Sequence, residues 1–82
     1  MEMSEVKASL KSLVVNQLLE GNGEGISDFT PLLELGLINS LSIMMVVGFI
    51  QEKFGVTVPS EHLTPENLKS IQSISEMVLR LR

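Results

Sequence analysis

Ser40 is the residue whose type and position most directly suggest chemistry. It follows a loop segment that contains Gly36, and it precedes the most apolar stretch of the chain, which begins at Leu41. A serine at such a junction can cap a helix, because its hydroxyl accepts a hydrogen bond from an unpaired N–H of the first turn. The same N–H groups and the helix dipole favour a phosphate. Ser40 is therefore predicted to be a helix cap, a place where a phosphate is carried, or both.

The residues around Ser40 resemble the attachment motif of acyl carrier proteins, which is usually a glycine, one or two further residues and Asp-Ser-Leu. Residues 35–41 read Leu-Gly-Leu-Ile-Asn-Ser-Leu. The similarity covers roughly the last two thirds of the chain and continues in residues 54–56, 58–59 and 63–71. In that family the serine is esterified with 4′-phosphopantetheine, whose thiol holds an acyl or aminoacyl group as a thioester. The resemblance implies that Ser40 is the covalent attachment residue, with Asn39 and Leu41 as its neighbours in the cofactor-binding motif.

Two positions depart from the usual pattern of that family. Asn39 stands where an aspartate is usual, so it keeps the hydrogen-bonding capacity and loses the charge. We expect attachment to be slower or to need a dedicated transferase. Gly36 lies four residues before Ser40 rather than three. This spacing is more similar to specialised stand-alone carriers, including D-alanyl and aminoacyl carriers, than to the housekeeping fatty-acid carrier.

The resemblance implies a carrier that catalyses nothing itself. A phosphopantetheinyl transferase adds the arm, a ligase or synthase loads it, and downstream transferases use the cargo. The first expectation for the cargo is an acyl intermediate of a specialised lipid or secondary-metabolite pathway, within the wider area of lipid metabolism and fatty acid biosynthesis. The acyl chain is expected to be sheltered in part between the helices. An aminoacyl or D-alanyl cargo is the alternative. An unmodified helical adaptor that binds a partner helix is a third reading.

The composition limits the class of protein. The 82 residues predict one domain over residues 1–82, and 44% hydrophobic residues are enough for a core. Ten acids against six bases argue against nucleic-acid binding, and no cysteine is present to form a disulfide. The N-terminal residues lack the apolar segment of a signal peptide, and the longest apolar run, residues 43–50, is far too short to span a bilayer. We expect a cytoplasmic monomer.

Two other parts of the chain are candidates for a catalytic or metal site, and the sequence predicts neither kind of site there. His62 is the only histidine, and no nucleophile–base pair accompanies it, so we interpret it as a surface loop residue. The segment Gly21–Gly25, with Asp28 after it, lacks the alternating acids of a calcium loop and is predicted to be a solvated turn. The sequence therefore predicts no metal site and no catalytic residue.

Hydrophobic spacing predicts the elements that position Ser40. The pattern indicates an all-α fold, a small four-helix bundle with three major helices and one short helix, and the resemblance implies that this bundle is of acyl-carrier type. Helix one is predicted from its cap, Ser4, to Leu19, with Gly21 as C-cap. The short helix is predicted from Pro65, after the cap Thr64, to Leu68 or Lys69, and Ser70 is predicted to cap the last helix. The expected core stripes of the first and last helices are Val6, Leu10, Leu13, Val14 and Leu18, and Ile71, Ile74, Met77, Val78 and Leu81.

Two connections complete the predicted fold. The segment 26–38 is long for so small a domain, and Phe29 and Leu33 are expected to anchor it in the core. One short helical turn is expected at Asp28 or Thr30, before Pro31. Residues 56–59 are predicted to be an extended loop with Val56 and Val58 buried, because no second strand is available to pair with it.

The second helix is predicted from Leu41 to Lys53 or Phe54, with Gly55 ending it. Its expected core stripe is Ile43, Val46, Val47, Ile50 and Phe54. Its opposite side is also apolar, and such a face indicates a partner surface, which we assign to Leu41, Met44 and Met45. The alternative for each methionine is a place in the core. Gly48 is expected to permit close helix approach or to leave room for a bound chain.

Overall fold

The computed structural model describes residues 2–18 and 26–82. The predicted end of helix one at Leu19, its C-cap Gly21 and the turn Gly21–Gly25 lie outside the described residues, as does the side chain of Leu18. The helices are α1 (Met3–Leu13), which continues into a π-helical turn (Val14–Leu18), then α2 (Ser40–Phe54), α3 (Pro65–Leu68) and α4 (Ile71–Leu81). A 3-10 turn, Ser60–His62, precedes α3. The predicted all-α fold with three major helices and one short helix is confirmed, and the described ranges contain no strand.

Helix α1 begins one residue earlier than predicted. Its N-cap is Glu2, whose side chain makes no capping hydrogen bond, and Ser4 lies inside the first turn. The predicted cap at Ser4 is therefore wrong. This end of the helix is exposed, so water can satisfy its first N–H groups. The predicted stripe is confirmed at the four positions whose side chains are described: Val6, Leu10, Leu13 and Val14 are buried.

Helix α4 and the caps before it agree closely with the sequence pattern. The Thr64 hydroxyl accepts a hydrogen bond from the Asn67 N–H at 3.3 Å, and the Ser70 hydroxyl accepts one from the Ser73 N–H at 3.2 Å. Both predicted caps are confirmed. Residues 56–59 belong to no helix or strand, as predicted, and Val56 and Val58 are buried. The stripe of α4 is buried at Ile71, Ile74, Met77 and Val78, and half-buried at Leu81.

Leu32, rather than Phe29, anchors the connection between the first two helices. Leu32 is 0% exposed and Phe29 is 72% exposed, so the predicted core position of Phe29 is wrong. The predicted position of Leu33 is only partly right, because Leu33 packs half-buried against the core. Two long-range backbone hydrogen bonds set this arrangement: the Leu32 N–H donates to the Lys69 carbonyl at 2.7 Å, and the Gln72 N–H donates to the Asp28 carbonyl at 2.8 Å.

The same connection makes the one short turn expected near Pro31. The Leu35 N–H donates to the Pro31 carbonyl at 3.0 Å, but the turn does not extend into a helix. The Asp28 side chain lies 3.5 Å from the Lys7 ammonium of α1. An ion pair this exposed contributes at most about 1 kcal/mol. The connection is thus held at both ends, and its last residues lead directly into α2.

Helix α2 packs one face against the core. Val46 and Ile50 are buried, while Ile43, Val47 and Phe54 pack half-buried against the same core. The predicted stripe is confirmed. The helix ends as predicted at Gly55, whose φ of 69° is favourable only for glycine, and its N–H donates to the Gln51 carbonyl at 2.9 Å. Across the described ranges, no helix has the length and apolar character needed to cross a bilayer.

Candidate functional site

The first turn of α2 is capped by Asn39. The Asn39 Oδ1 atom accepts hydrogen bonds from the Leu41 N–H at 3.0 Å and from the Ser42 N–H at 3.1 Å. The Asn39 carbonyl accepts the next one, from the Ile43 N–H at 2.8 Å. The prediction that Ser40 is the cap is therefore wrong by one residue. Asparagine caps helices as well as serine does, and here its side chain satisfies two of the N–H groups that the helix leaves unpaired.

Ser40 is the first residue of the helix, and its side chain is exposed. Within the described residues, the Ser40 hydroxyl has no hydrogen-bond partner, because the neighbouring asparagine performs the capping. Ser42 differs in both respects. It is half-buried, and its hydroxyl donates to Asn39 Oδ1 at 3.3 Å. Of the two serines in this turn, only Ser40 presents a free hydroxyl to solvent.

The turn before α2 places Asn39 and Ser40 at the surface. Gly36 has a φ of 70°, a conformation that costs other residues strain, and its N–H donates to the Leu33 carbonyl at 3.1 Å. The Leu37 N–H returns to the Leu32 carbonyl at 2.9 Å. Ile38 then inserts into the core and is 3% exposed. The residue before the cap is thus anchored, so the start of α2 has a fixed position.

A second feature of α2 is an exposed apolar crest formed by Leu41, Met44 and Met45. These side chains are 80%, 60% and 46% exposed, so neither methionine occupies the alternative position in the core. No charged residue occurs in α2 before Glu52. A Cβ atom added at Gly48 would have no neighbour within 4 Å. The expectation that Gly48 permits close helix approach is therefore wrong for the helices that the structure describes, none of which lies against it.

A groove of about 580 Å³ runs between α1 and α2. Met45, Phe49 and Lys53 line it from α2, together with small side chains of α1 such as Ala8 and Ser12. Each residue advances about 100° around the helix axis, so these three positions are rotated by roughly 140–220° from Ser40. They therefore lie on the other side of α2 from Ser40. Met45 belongs to both the crest and the groove, and the other crest residues, Leu41 and Met44, lie between the groove and Ser40 around the helix. In the interior between the helices, Val46, Ile50 and Met77 are almost fully buried.

His62 has a structural position. It is half-buried in the 3-10 turn, and its backbone carbonyl accepts a hydrogen bond from the Asn67 side-chain amide at 2.8 Å. The interpretation of His62 as a residue of a surface connection is compatible with this position. In the part of the chain that the structure describes, no three histidine or carboxylate side chains gather as metal ligands would.

Comparison with known families identifies the class of protein. The family model described as "Phosphopantetheine attachment site" matches residues 9–78, a span that includes the whole of α2. The chain belongs to this family. It is therefore a carrier that holds a covalently attached 4′-phosphopantetheine group, and it is not itself an enzyme.

Two relatives differ in the cargo that their names give. The chain is 29% identical over 77 residues to a probable acyl carrier protein, PigG, of Serratia sp. (strain ATCC 39006), covering 94% of this chain and 88% of that protein. It is 30% identical over 69 residues to aminoacyl carrier protein 1 of Bradyrhizobium diazoefficiens, covering 80% of this chain and 74% of that protein.

A solved structure shares the fold. It is described as "Crystal structure of FAD-dependent dehydrogenase", and one of its chains superposes with a TM-score of 0.80 and 32% sequence identity. The match covers 84% of this chain and 97% of that chain.

The start of α2 fits a phosphodiester. Ser40 offers an exposed hydroxyl at the positive end of the helix, and the first turn of α2 contains no acidic residue that would repel the group. The sequence pattern singled out Ser40 and missed the capping role of Asn39. The signal was present, because asparagine is among the strongest N-cap residues and directly precedes the predicted helix.

Replacing Asn39 by alanine should destabilise the protein, whereas replacing Ser40 by alanine should not. We expect Asn39→Ala to lower the free energy of unfolding by about 0.5–2 kcal/mol, because two N–H groups lose their acceptor. Ser40→Ala removes no hydrogen bond of the described structure and should change it by less than about 0.5 kcal/mol. Urea unfolding of the unmodified proteins, followed by circular dichroism, measures both. An equal or larger loss in Ser40→Ala would contradict the assignment of the cap.

Proposed function

We propose that Ser40 is the attachment residue and that the chain carries an acyl intermediate as a thioester, in a specialised lipid or secondary-metabolite pathway. The observation that carries this proposal is the exposed Ser40 hydroxyl, which is free of the cap and lies at the first residue of α2. We further propose that residues 1–82 form one carrier domain, monomeric and cytoplasmic. A chain without cysteine is compatible with a reducing compartment.

Attachment requires one nucleophilic step at Ser40. The Ser40 oxygen forms a bond to the phosphorus on the pantetheine side of the coenzyme A diphosphate. The bond from that phosphorus to the bridging oxygen breaks, and adenosine 3′,5′-bisphosphate leaves with the electron pair. The hydroxyl proton passes to a base of the phosphopantetheinyl transferase. No electrons are transferred, so no oxidant or reductant is needed.

The acyl cargo is supported by the relative that aligns with more of the chain. The probable acyl carrier protein aligns with 94% of this chain, and the aminoacyl carrier protein aligns with 80%. The two identities, 29% and 30%, do not discriminate. An aminoacyl cargo is therefore the second candidate, and it is favoured by the position of Gly36 relative to Ser40.

The apolar crest of Leu41, Met44 and Met45 is proposed as the surface that the transferase, the loading ligase and the downstream enzymes contact. The crest begins beside Ser40, so an enzyme that binds it also reaches the attachment site. Its lack of charge indicates that apolar burial, rather than long-range attraction, supplies the affinity. Methionine side chains adapt to differently shaped surfaces, which suits a carrier that visits several enzymes in turn.

A flavin enzyme is proposed as one further partner. The solved chain that shares this fold is smaller than the present chain, since 97% of it aligns with only 84% of these 82 residues. A chain of that size forms one small domain. The solved structure is nevertheless named for an FAD-dependent dehydrogenase, and we therefore propose that a domain of this fold associates with such an enzyme. The partnership predicts that the cargo gives two electrons and two protons to the flavin and is itself oxidised. Oxidised-flavin absorbance should therefore fall when such an enzyme is mixed with the loaded carrier, and an unchanged spectrum would exclude this partnership.

Intact-mass spectrometry tests the attachment at Ser40. After incubation with coenzyme A and a broad-specificity transferase, the protein should gain the mass of one phosphopantetheine group. Ser40→Ala should gain none, whereas Ser42→Ala should still be modified because it retains the exposed Ser40. The modified sample is then offered to an acyl ligase and to an amino-acid adenylating ligase, and the thioester that forms identifies the cargo. No gain with any transferase would contradict the proposal and favour the unmodified helical adaptor.

Introducing a charge on the crest should weaken partner binding. We expect Met45→Glu to raise the KM of the loading ligase for the modified carrier by about tenfold or more, because a carboxylate would be buried in an apolar interface. Thr57→Glu adds the same charge to an exposed loop position and serves as the matched control. A KM for Met45→Glu equal to that of the control would exclude Met45 from the partner surface.

A further inference from the structure

We propose that the phosphate attached to Ser40 completes the electrostatic cap of α2, because Asn39 caps this helix by hydrogen bonding alone. Because the side chain at position 39 is neutral, the stability of the helix start depends on modification. The inference rests on the proposed attachment at Ser40 and goes beyond it, since it concerns what the attachment does to the carrier.

The cap of α2 is complete in hydrogen bonds and lacks charge. Asn39 Oδ1 accepts from the Leu41 N–H, the Ser42 N–H and the Ser42 hydroxyl, at 3.0, 3.1 and 3.3 Å. The amide that does this is neutral, and the first turn contains no acidic residue. The first carboxylate of α2 is that of Glu52, near its other end. The positive end of the helix dipole, equivalent to about half an elementary charge, is therefore unopposed by any anion of α2.

The family match independently identifies a ligand that brings the missing charge. Its model describes phosphopantetheine attachment and spans the first turn of α2. A phosphodiester on the hydroxyl of the first helical residue carries one negative charge within the turn where the dipole acts. Modification is therefore expected to stabilise α2 by electrostatics, with no new hydrogen bond required.

An aspartate at position 39 would behave in the opposite way. It would make the same hydrogen bonds and place a negative charge at the helix start before any arm is attached. The phosphodiester would then be a second negative charge on the adjacent residue, and like charges at that distance repel. Asn39→Asp should therefore stabilise the unmodified form and lose the stabilisation on modification. With asparagine, the stability of the helix start differs between the unmodified and the modified carrier. A partner that contacts the helix start can therefore distinguish the two forms.

Thermal unfolding of the unmodified and modified proteins at low ionic strength tests this coupling. For the natural sequence, we expect the modified form to have a Tm about 2–5 °C higher, and 1 M salt should remove most of the difference. Asn39→Asp should raise the Tm of the unmodified form, and its modification should give no increase. Asn39→Ala lacks the cap in both forms but has no charge, so it should keep the increase from a lower starting Tm.

Amide hydrogen exchange at residues 40–43 supplies a second readout that is local to the helix start. Exchange there should slow on modification in the natural sequence and in Asn39→Ala, but not in Asn39→Asp. Equal Tm increases in the natural sequence and Asn39→Asp, or an increase that 1 M salt leaves intact, would overturn the electrostatic coupling while leaving the carrier role unchanged. Failure of every variant to gain phosphopantetheine by mass would instead refute the attachment at Ser40.

Discussion

The hydrogen bonds that Asn39 Oδ1 accepts from the first turn of α2 are the interaction on which the site depends. They fix the residue at which the helix begins and satisfy N–H groups that would otherwise need water or a ligand. Asn39 Oδ1 also accepts a hydrogen bond from the Ser42 hydroxyl, so of the two serines in this turn only Ser40 keeps an unpaired hydroxyl among the described residues. The Ser40 hydroxyl is consequently left exposed at the positive end of a helix. This hydroxyl is therefore available for the covalent attachment proposed at Ser40.

The rest of the fold holds this helix start in place. Ile38 is buried immediately before the cap, and Leu32 is buried near the beginning of the same turn. The backbone of Leu32 is tied to the Lys69 carbonyl, just before α4. The exposed crest of α2 can remain apolar because its opposite face, which includes Val46 and Ile50, supplies the packing. Gly48 costs α2 about 1 kcal/mol relative to alanine, so this packing and the two helix ends carry much of its stability.

The features that could be predicted from the sequence are those set by local chemistry. Thr64, Ser70 and Gly55 act as predicted because each satisfies or ends a helix through its own immediate neighbours. The buried faces of the helices could be predicted equally well, since the spacing of their residues depends only on helix geometry. The exposure of Met44 and Met45 followed from the excess of apolar residues around one helix, which a domain of this size cannot bury completely.

The features that could not be predicted depend on distant residues or on a choice between equivalent ones. Asn39 and Ser40 are adjacent and are both good caps, so sequence alone did not decide where α2 begins. The burial of Leu32 instead of Phe29 depends on a hydrogen bond to Lys69, which is far away in the sequence. The spacing of hydrophobic residues does not predict such a long-range contact. The proposed attachment residue was singled out by its motif, whereas the reason for its exposure became visible only with the position of the cap.

The most direct test of the central claim is peptide mapping of the protein isolated from its own cells. Digestion and fragmentation by mass spectrometry would locate any covalent group within the peptide that contains both Ser40 and Ser42. A phosphopantetheine group on Ser40, with the mass of its cargo, is the expected result. The same group on Ser42, or a protein that carries no group at either serine, would contradict the account.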